Sequence, residues 1–198
     1  MAAIEAGRPV VLPTDTVYGL CADPSQEAAA LEVYRLKGRD AGQPTALLAS
    51  DVAILVQRIP ELRGPVESQL RALLPGPFTL VVPNPAGRYP WLAGDRPDTI
   101  GVRVPELEGP GAEVLDRVGA VLATSANRRG GPDPRRLEDV PEEIRAGCAA
   151  LVDGGELPGT PSTVLDLTEP DPRVIREGAV PGADALERAL AATGRVRE

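Results

Sequence analysis

An α/β fold built on a mixed sheet is what this 198-residue sequence predicts, and three observations predict it. Short apolar runs alternate with amphipathic segments along the chain, the pattern of strands interleaved with helices. Several connections, notably 83–98 and 168–172, are shorter than a full crossover helix, so some neighbouring strands must run antiparallel. The length suits one large domain, which buries about 70% of the surface its unfolded chain exposes.

The first strand is predicted at Pro9–Pro13, an apolar run bounded by prolines. A helix from Pro24 to about Leu36 follows, announced by Asp23-Pro24-Ser25-Gln26. There Asp can cap, Pro fits the first turn and Gln can close a capping box. Thr45–Ala49 reads as a strand, Val52–Ile59 and Pro65–Leu74 as helices, and Phe78–Val82 and Thr99–Val104 as strands. Gly111–Val118 is predicted helical, Ala120–Thr124 a buried strand, Val140–Ala146 helical and Ala149–Val152 a strand. Strands at Ser162–Leu167 and Arg173–Arg176 and a helix at Ala183–Ala192 complete the series, with eight strands as the upper limit. Pro/Gly clusters at 83–98, 128–134 and 154–161 read as loops within one domain spanning 1–198, with a frayed tail at 194–198.

Composition excludes several chemistries. Aromatics are 3% of the chain, so Leu, Val, Ile and Ala must build the core. A formal net charge of −8 argues against a general nucleic-acid binder, which needs Lys and Arg to displace counterions. There is no histidine and no C-x-x-C pair, which removes an ordinary zinc site and any Ser-His or Cys-His nucleophile pair. Cys21 and Cys148 read as free buried thiols, with a disulfide between them as the alternative. The N-terminus does not resemble a signal peptide and no apolar run approaches a membrane span, so a cytoplasmic location is expected.

Positive charge concentrates in RLKGRDAGQPTALL, residues 35–48. Arg35, Lys37 and Arg39 suit either a solvated helix end or an anion site. Lys37 and Arg39 flank Gly38, which lets the backbone leave the helix so that both can reach one ligand. Both cations are expected to be exposed, so that their removal leaves the core intact. In VLATSANRRGG, residues 121–131, Ser125 and Asn127 can hold a ligand or close an Asx-type turn. VLPTDTVYGL, residues 11–20, ends a strand in polar groups that cap a turn or form a pocket wall. Neither the P-loop nor the dinucleotide fingerprint is present.

Taken in order, LPTDTVYGL, KGR, LLPGPFTLVV, TIGVRVP, ATSANRRGG, DGG, PSTVLDL and VIREGAV resemble the YrdC/TsaC family, the threonylcarbamoyl-AMP synthases of tRNA modification. The resemblance covers about residues 5–182. It implies a twisted, mostly mixed sheet with flanking helices and a concave ligand cavity. The chain is expected to lack the second domain that some relatives carry. The implied reaction condenses L-threonine, bicarbonate or CO2, and ATP to threonylcarbamoyl-AMP and pyrophosphate, with Mg2+ arriving with ATP and no metal ligand from the protein. A downstream tRNA threonylcarbamoyl-transfer complex would take the product, with weak direct tRNA contact.

The family's K-x-R and S-x-N pairs fall on Lys37, Arg39, Ser125 and Asn127 as catalytic residues. Arg39, Gln43, Thr99, Ser125, Asp133 and Arg176 match ATP-contacting positions. Asp133 is a departure there, because an anion beside a triphosphate is unfavourable unless it faces away. Thr16, Arg103, Ala123 and Ser162 match threonine-binding positions, Arg103 being suited to a bidentate grip on a carboxylate. Three alternatives stand beside the synthase: a non-catalytic RNA-binding module of the same family, a hydrolase using Ser125 and Lys37, and a carbamoyl-transfer domain like those of hydrogenase maturation.

Overall fold

The chain starts with one helical turn, α1 (Ala2–Glu5), and then folds into a hairpin of β1 (Val10–Pro13) and β2 (Tyr18–Ala22). Helix α2 (Glu27–Lys37) leads through β3 (Ala46–Ala49) to α3 (Val52–Arg58), α4 (Pro65–Leu73) and β4 (Phe78–Pro83). Then come β5 (Thr99–Arg103), α5 (Gly109–Val118), β6 (Ala120–Ser125), α6 (Glu142–Gly147) and β7 (Ala150–Leu151). Strands β8 (Thr163–Asp166) and β9 (Arg173–Arg176) and helix α7 (Gly182–Ala191) follow. This is a computed structural model, and it describes residues 1–40 and 42–194. Of the predicted tail only Gly194 lies among the described residues.

The described strands form one nine-stranded sheet in the order β7-β1-β2-β6-β3-β5-β4-β8-β9. The pairs β7–β1, β3–β5 and β4–β8 are parallel and the other neighbours antiparallel, so the sheet is mixed as predicted. Two expectations need correction. The limit of eight strands omits β2, whose five residues are all buried; with no alternation and a glycine as its second residue, YGLCA carries little strand signal. The capping box also fails, because α2 begins at Glu27. The Asp23 carboxylate instead accepts from Ser25 N at 2.8 Å, Ser25 Oγ at 2.6 Å and Gln26 Nε2 at 2.8 Å, closing a turn ahead of the helix.

The two faces of the sheet are filled unequally. One carries the larger core, in which Ala30, Val33, Leu55, Leu70, Leu73, Ala185 and Ala189 of α2, α3, α4 and α7 pack on Leu20, Leu47, Leu80, Leu122 and Leu165. Each such large aliphatic side chain contributes about 1.5–3 kcal/mol by leaving water. The other face carries a smaller core in which Ile4 and Leu115, from α1 and α5, meet Val10, Leu12, Cys21, Leu48 and Val121. Beyond that core lies the cavity described below. Both cysteines are free. Burial pushes the Cys21 thiol up to about 12 and that of the half-buried Cys148 up to about 11, so both stay protonated near neutral pH. Among the described residues no helix is long and apolar enough to cross a membrane.

Candidate active site

A cavity of about 550 Å3 opens over the less-covered sheet face. Its floor includes Gly19 of β2, Ala46 of β3, Gly101 of β5 and Ala123 of β6, where Ala46 is the register partner of both Ala123 and Gly101. Small side chains there leave the sheet surface accessible to a ligand. Four arginines line the space, Arg39, Arg96, Arg103 and Arg176, together with Asp95 and Asp133.

The KGR segment is shaped by the end of α2. Gly38 is left-handed, φ 63° and ψ 45°, while Gly38 N donates to Arg35 O and Arg39 N to Tyr34 O, a glycine C-cap. Lys37 therefore still belongs to the helix and Arg39 has left it, and their heads diverge. Lys37 is 5% exposed. Its Nζ donates to Ser125 O at 2.6 Å, Asn127 Oδ1 at 2.7 Å and Asn127 O at 2.9 Å, with Ser125 Oγ at 3.3 Å. Burial, then the charge of Arg39, draws Lys37 down to about 8 while Asp133 opposes. The Arg39 guanidinium lies over the Tyr34 ring, 5.0 Å from its centroid. It donates to Gln43 O at 2.8 Å, Pro44 O at 3.1 Å and Thr45 Oγ1, and lies 3.5 Å from Thr124 Oγ1. Its buried Nε has no partner in the structure.

A second cluster forms where the β1–β2 turn meets β5. The turn is held by Thr14, whose Oγ1 donates to Val17 O at 2.7 Å. Arg103, 8% exposed, donates through Nη2 to Asp15 Oδ1 and, at 2.8 Å, to Thr16 Oγ1. Asp15 Oδ2 accepts from Glu106 N at 3.3 Å. Burial raises the Asp15 carboxyl and its contact with Arg103 opposes the rise. Arg103 Nε is buried with no partner in the structure, a donor left over in a wall that faces the cavity.

The third cluster is Ser162, 3% exposed, whose Oγ shares a hydrogen bond of 2.8 Å with Thr79 Oγ1. Arg176 Nη2 donates to Ser162 O at 2.8 Å. Gly178 packs directly behind: a Cβ there would fall 2.4 Å from Pro161 O and 2.5 Å from Ser162 C. Among the described residues, the cavity's cations thus divide by partner. Arg103 is paired with Asp15, and Arg96 with Asp166 at 3.0 Å. Arg39 and Arg176 bond neutral oxygens, so their charge is available to an anion.

A family model for Sua5, YciO and YrdC proteins, described as telomere recombination, matches residues 2–178. The chain belongs to the Sua5/YciO/YrdC family. It is 34% identical over 179 residues to a putative threonylcarbamoyl-AMP synthase of Mycobacterium tuberculosis, covering 90% of this chain and 82% of that relative. Identity to the threonylcarbamoyl-AMP synthase of Pyrococcus abyssi is 35% over 98% of this chain. The chain spans 56% of that relative's length. A crystal structure of P. abyssi Sua5 complexed with L-threonine is similar at a TM-score of 0.84 and 32% identity, covering 99% of this chain and 57% of that one.

In this Sua5/YciO/YrdC chain, Thr16, Arg39, Thr99, Arg103, Ala123, Ser125, Asp133, Ser162 and Arg176 all line the cavity. Lys37, Gln43 and Asn127 stand outside that lining. Two expectations change. Lys37 is buried rather than exposed, and instead of reaching one ligand beside Arg39 it bonds Ser125 and Asn127 directly. Gln43, with its carboxamide oxygen turned to accept, faces Arg129 Nε and Nη2 at 3.3 and 3.2 Å. Asp133 lines the cavity with its carboxylate 3.3 Å from Asn127 Nδ2, which offsets part of its charge. Arg96 was missed, because it lies in a Pro/Gly segment that reads as a plain loop. Thr79 and Tyr34 were missed as supporting groups, and Asp15, read as a polar group of the turn or pocket wall, is brought to Arg103 by the fold.

Proposed function

We propose that the chain is a threonylcarbamoyl-AMP synthase acting in the cytoplasm. It would condense L-threonine, bicarbonate or CO2, and ATP to threonylcarbamoyl-AMP and pyrophosphate, the precursor of N6-threonylcarbamoyladenosine in tRNA. The observation that carries this reading is the sorting of cations in one cavity. Arg39 and Arg176, bonded to neutral oxygens, suit a polyanion, while Arg103 keeps an unpartnered Nε beside Thr16 and suits a carboxylate. The names of the relatives support the same reading.

In this mechanism the threonine carboxylate meets Arg103, with the hydroxyls of Thr16 and Ser162 and the backbone of Ala123 completing the amino-acid subsite. The triphosphate lies against Arg39 and Arg176, with Thr99 and Asp133 on the cavity wall and Gln43 behind it. A carbamate oxygen attacks the α-phosphorus; an O–P bond forms as the bond to pyrophosphate breaks. The substrate supplies the nucleophile, so the chain's contribution is to position two anions and neutralise their charge. Asp95 and Asp133 on the lining suit contact with a hydrated ion, so Mg2+ would be held by phosphate oxygens and water and would supply further charge neutralisation. The product would pass to a tRNA threonylcarbamoyl-transfer complex, with weak direct contact to tRNA. The test is pyrophosphate release from Mg-ATP by the purified protein. Release should depend on both threonine and bicarbonate, and release independent of either one rules the reaction out.

A further inference from the structure

The hydrogen bonds of Lys37, Ser125 and Asn127 can be assigned in only one way. Around Lys37 Nζ stand Ser125 O at 2.6 Å, Asn127 Oδ1 at 2.7 Å and Asn127 O at 2.9 Å, with Ser125 Oγ further off at 3.3 Å. An ammonium has three protons, and the three nearer oxygens take them. The same contacts fix the Asn127 amide. Its Oδ1 faces a group that only donates, and its Nδ2 donates to Gly131 O at 2.7 Å and towards Asp133 Oδ1 at 3.3 Å. Reversing the amide would set donor against donor. Ser125 Oγ lies 2.7 Å from Asn127 Oδ1, an atom that can only accept, so the hydroxyl proton points at Asn127. Towards the cavity that it lines, Ser125 presents a lone pair.

Resting on the synthase reading above, we propose that Ser125 accepts a hydrogen bond from the threonine-derived N–H of the bound carbamate, and that Lys37 and Asn127 are positioning residues that hold its proton away from the ligand. Phosphate oxygens of ATP carry no proton to give. A ribose hydroxyl turns either way and gains nothing particular from a fixed acceptor. The groups that only donate are the carbamate N–H and the adenine amine. Of these, the carbamate has to lie against the α-phosphate it attacks. Among the arginines that line the cavity without a carboxylate partner among the described residues, Arg39 stands at this corner, its Nη1 3.5 Å from Oγ1 of the adjacent Thr124. A neutral N–H also tolerates the Lys37 ammonium 3.3 Å from Ser125 Oγ, where a charged amine would be repelled.

The test measures pyrophosphate release by wild type, Ser125→Ala and Ser125→Cys with two pairs of substrates. Threonine is compared with N-methylthreonine, whose carbamate has no N–H, and ATP with purine riboside triphosphate, which lacks the amine. Wild type should prefer threonine in kcat/KM by about tenfold or more. Both variants should bring that ratio near one and leave the preference for ATP unchanged. Cysteine keeps the bulk of the side chain but accepts weakly, so space opened by alanine cannot explain a loss seen in both. Where N-methylthreonine is not turned over, its inhibition constant against threonine gives the same comparison. Discrimination that survives in both variants, or a collapse of the ATP preference in its place, overturns the assignment. Absence of threonine-dependent release in wild type overturns the synthase reading and the assignment together.

Discussion

Around the end of β6, Lys37 and Arg39 are held by neutral oxygens and the Tyr34 ring, whereas below the β1–β2 turn Arg103 is held by the carboxylate of Asp15. Both clusters bury cations, and the difference lies in who supplies the countercharge. A buried ion without an opposite charge is costly, so the first cluster is suited to an anion from outside. The second is already balanced, and it offers hydrogen bonds without a large net charge. One cavity can then receive a polyanion at one wall and an amino acid at the other.

Breaking the balanced cluster should have the largest effect. Arg103→Met leaves Asp15 buried without its partner, so stability should fall by about 3 kcal/mol and activity by about a thousandfold, read by denaturant unfolding and pyrophosphate release. The Arg103→Met/Asp15→Asn double variant should regain most of that stability and none of the activity. A double variant as unstable as the single one would show that the ion pair is not what Arg103 contributes to the fold.

Lys37 sharpens the comparison, because it serves fold and site together. Lys37→Met leaves Ser125 O, Asn127 O and Asn127 Oδ1 short of a donor, which should cost about 2 kcal/mol and most of the activity. Its ionisation should separate the two roles. The folded value is about 8 against an ordinary 10.5, so between those limits the unfolded chain binds more protons and stability rises with pH. Activity should fall over the same interval as Lys37 loses a proton that it donates to Asn127 or Ser125. Melting and rate profiles that move in the same direction across this window would contradict the assignment, as would an alkaline limb of unchanged midpoint in Lys37→Arg.

Smaller effects are expected behind and beneath the site. A methyl at Gly178 collides with the backbone of Pro161–Thr163, so Gly178→Ala should displace Ser162 and raise the KM for threonine about tenfold. At Gly101 a Cβ would meet Thr79 Cγ2 at 3.6 Å and Ala46 Cα at 3.7 Å, ordinary contacts. Gly101→Val should therefore fold within about 1 kcal/mol of wild type while filling the floor and weakening ligand binding, which calorimetric titration with threonine and ATP would detect.

Much of the fold was legible because apolar runs and turn residues are local signals. The eight predicted strands are present, and the strand that was missed, β2, is short, continuously buried and interrupted by Gly19. The site was legible as residue types in order: TDT, KGR, TSAN and PST each contribute to one cavity or its immediate support. Less legible were the partners. Asp15 lies 88 positions from Arg103 and Ser125 88 from Lys37, and no spacing rule connects them.

The sequence by itself determined that an α/β sheet would form, that chemistry requiring histidine was absent, and which polar segments would end the strands. Only the tertiary structure decided that Lys37 turns inward to Asn127 while Arg39 turns to Gln43 and Thr45, and that the hydroxyl proton of Ser125 is already committed. The physical reason is that propensity and hydrophobic period act over a few residues. A hydrogen bond or ion pair is assigned by which donors and acceptors the packed sheet brings within about 3 Å of one another.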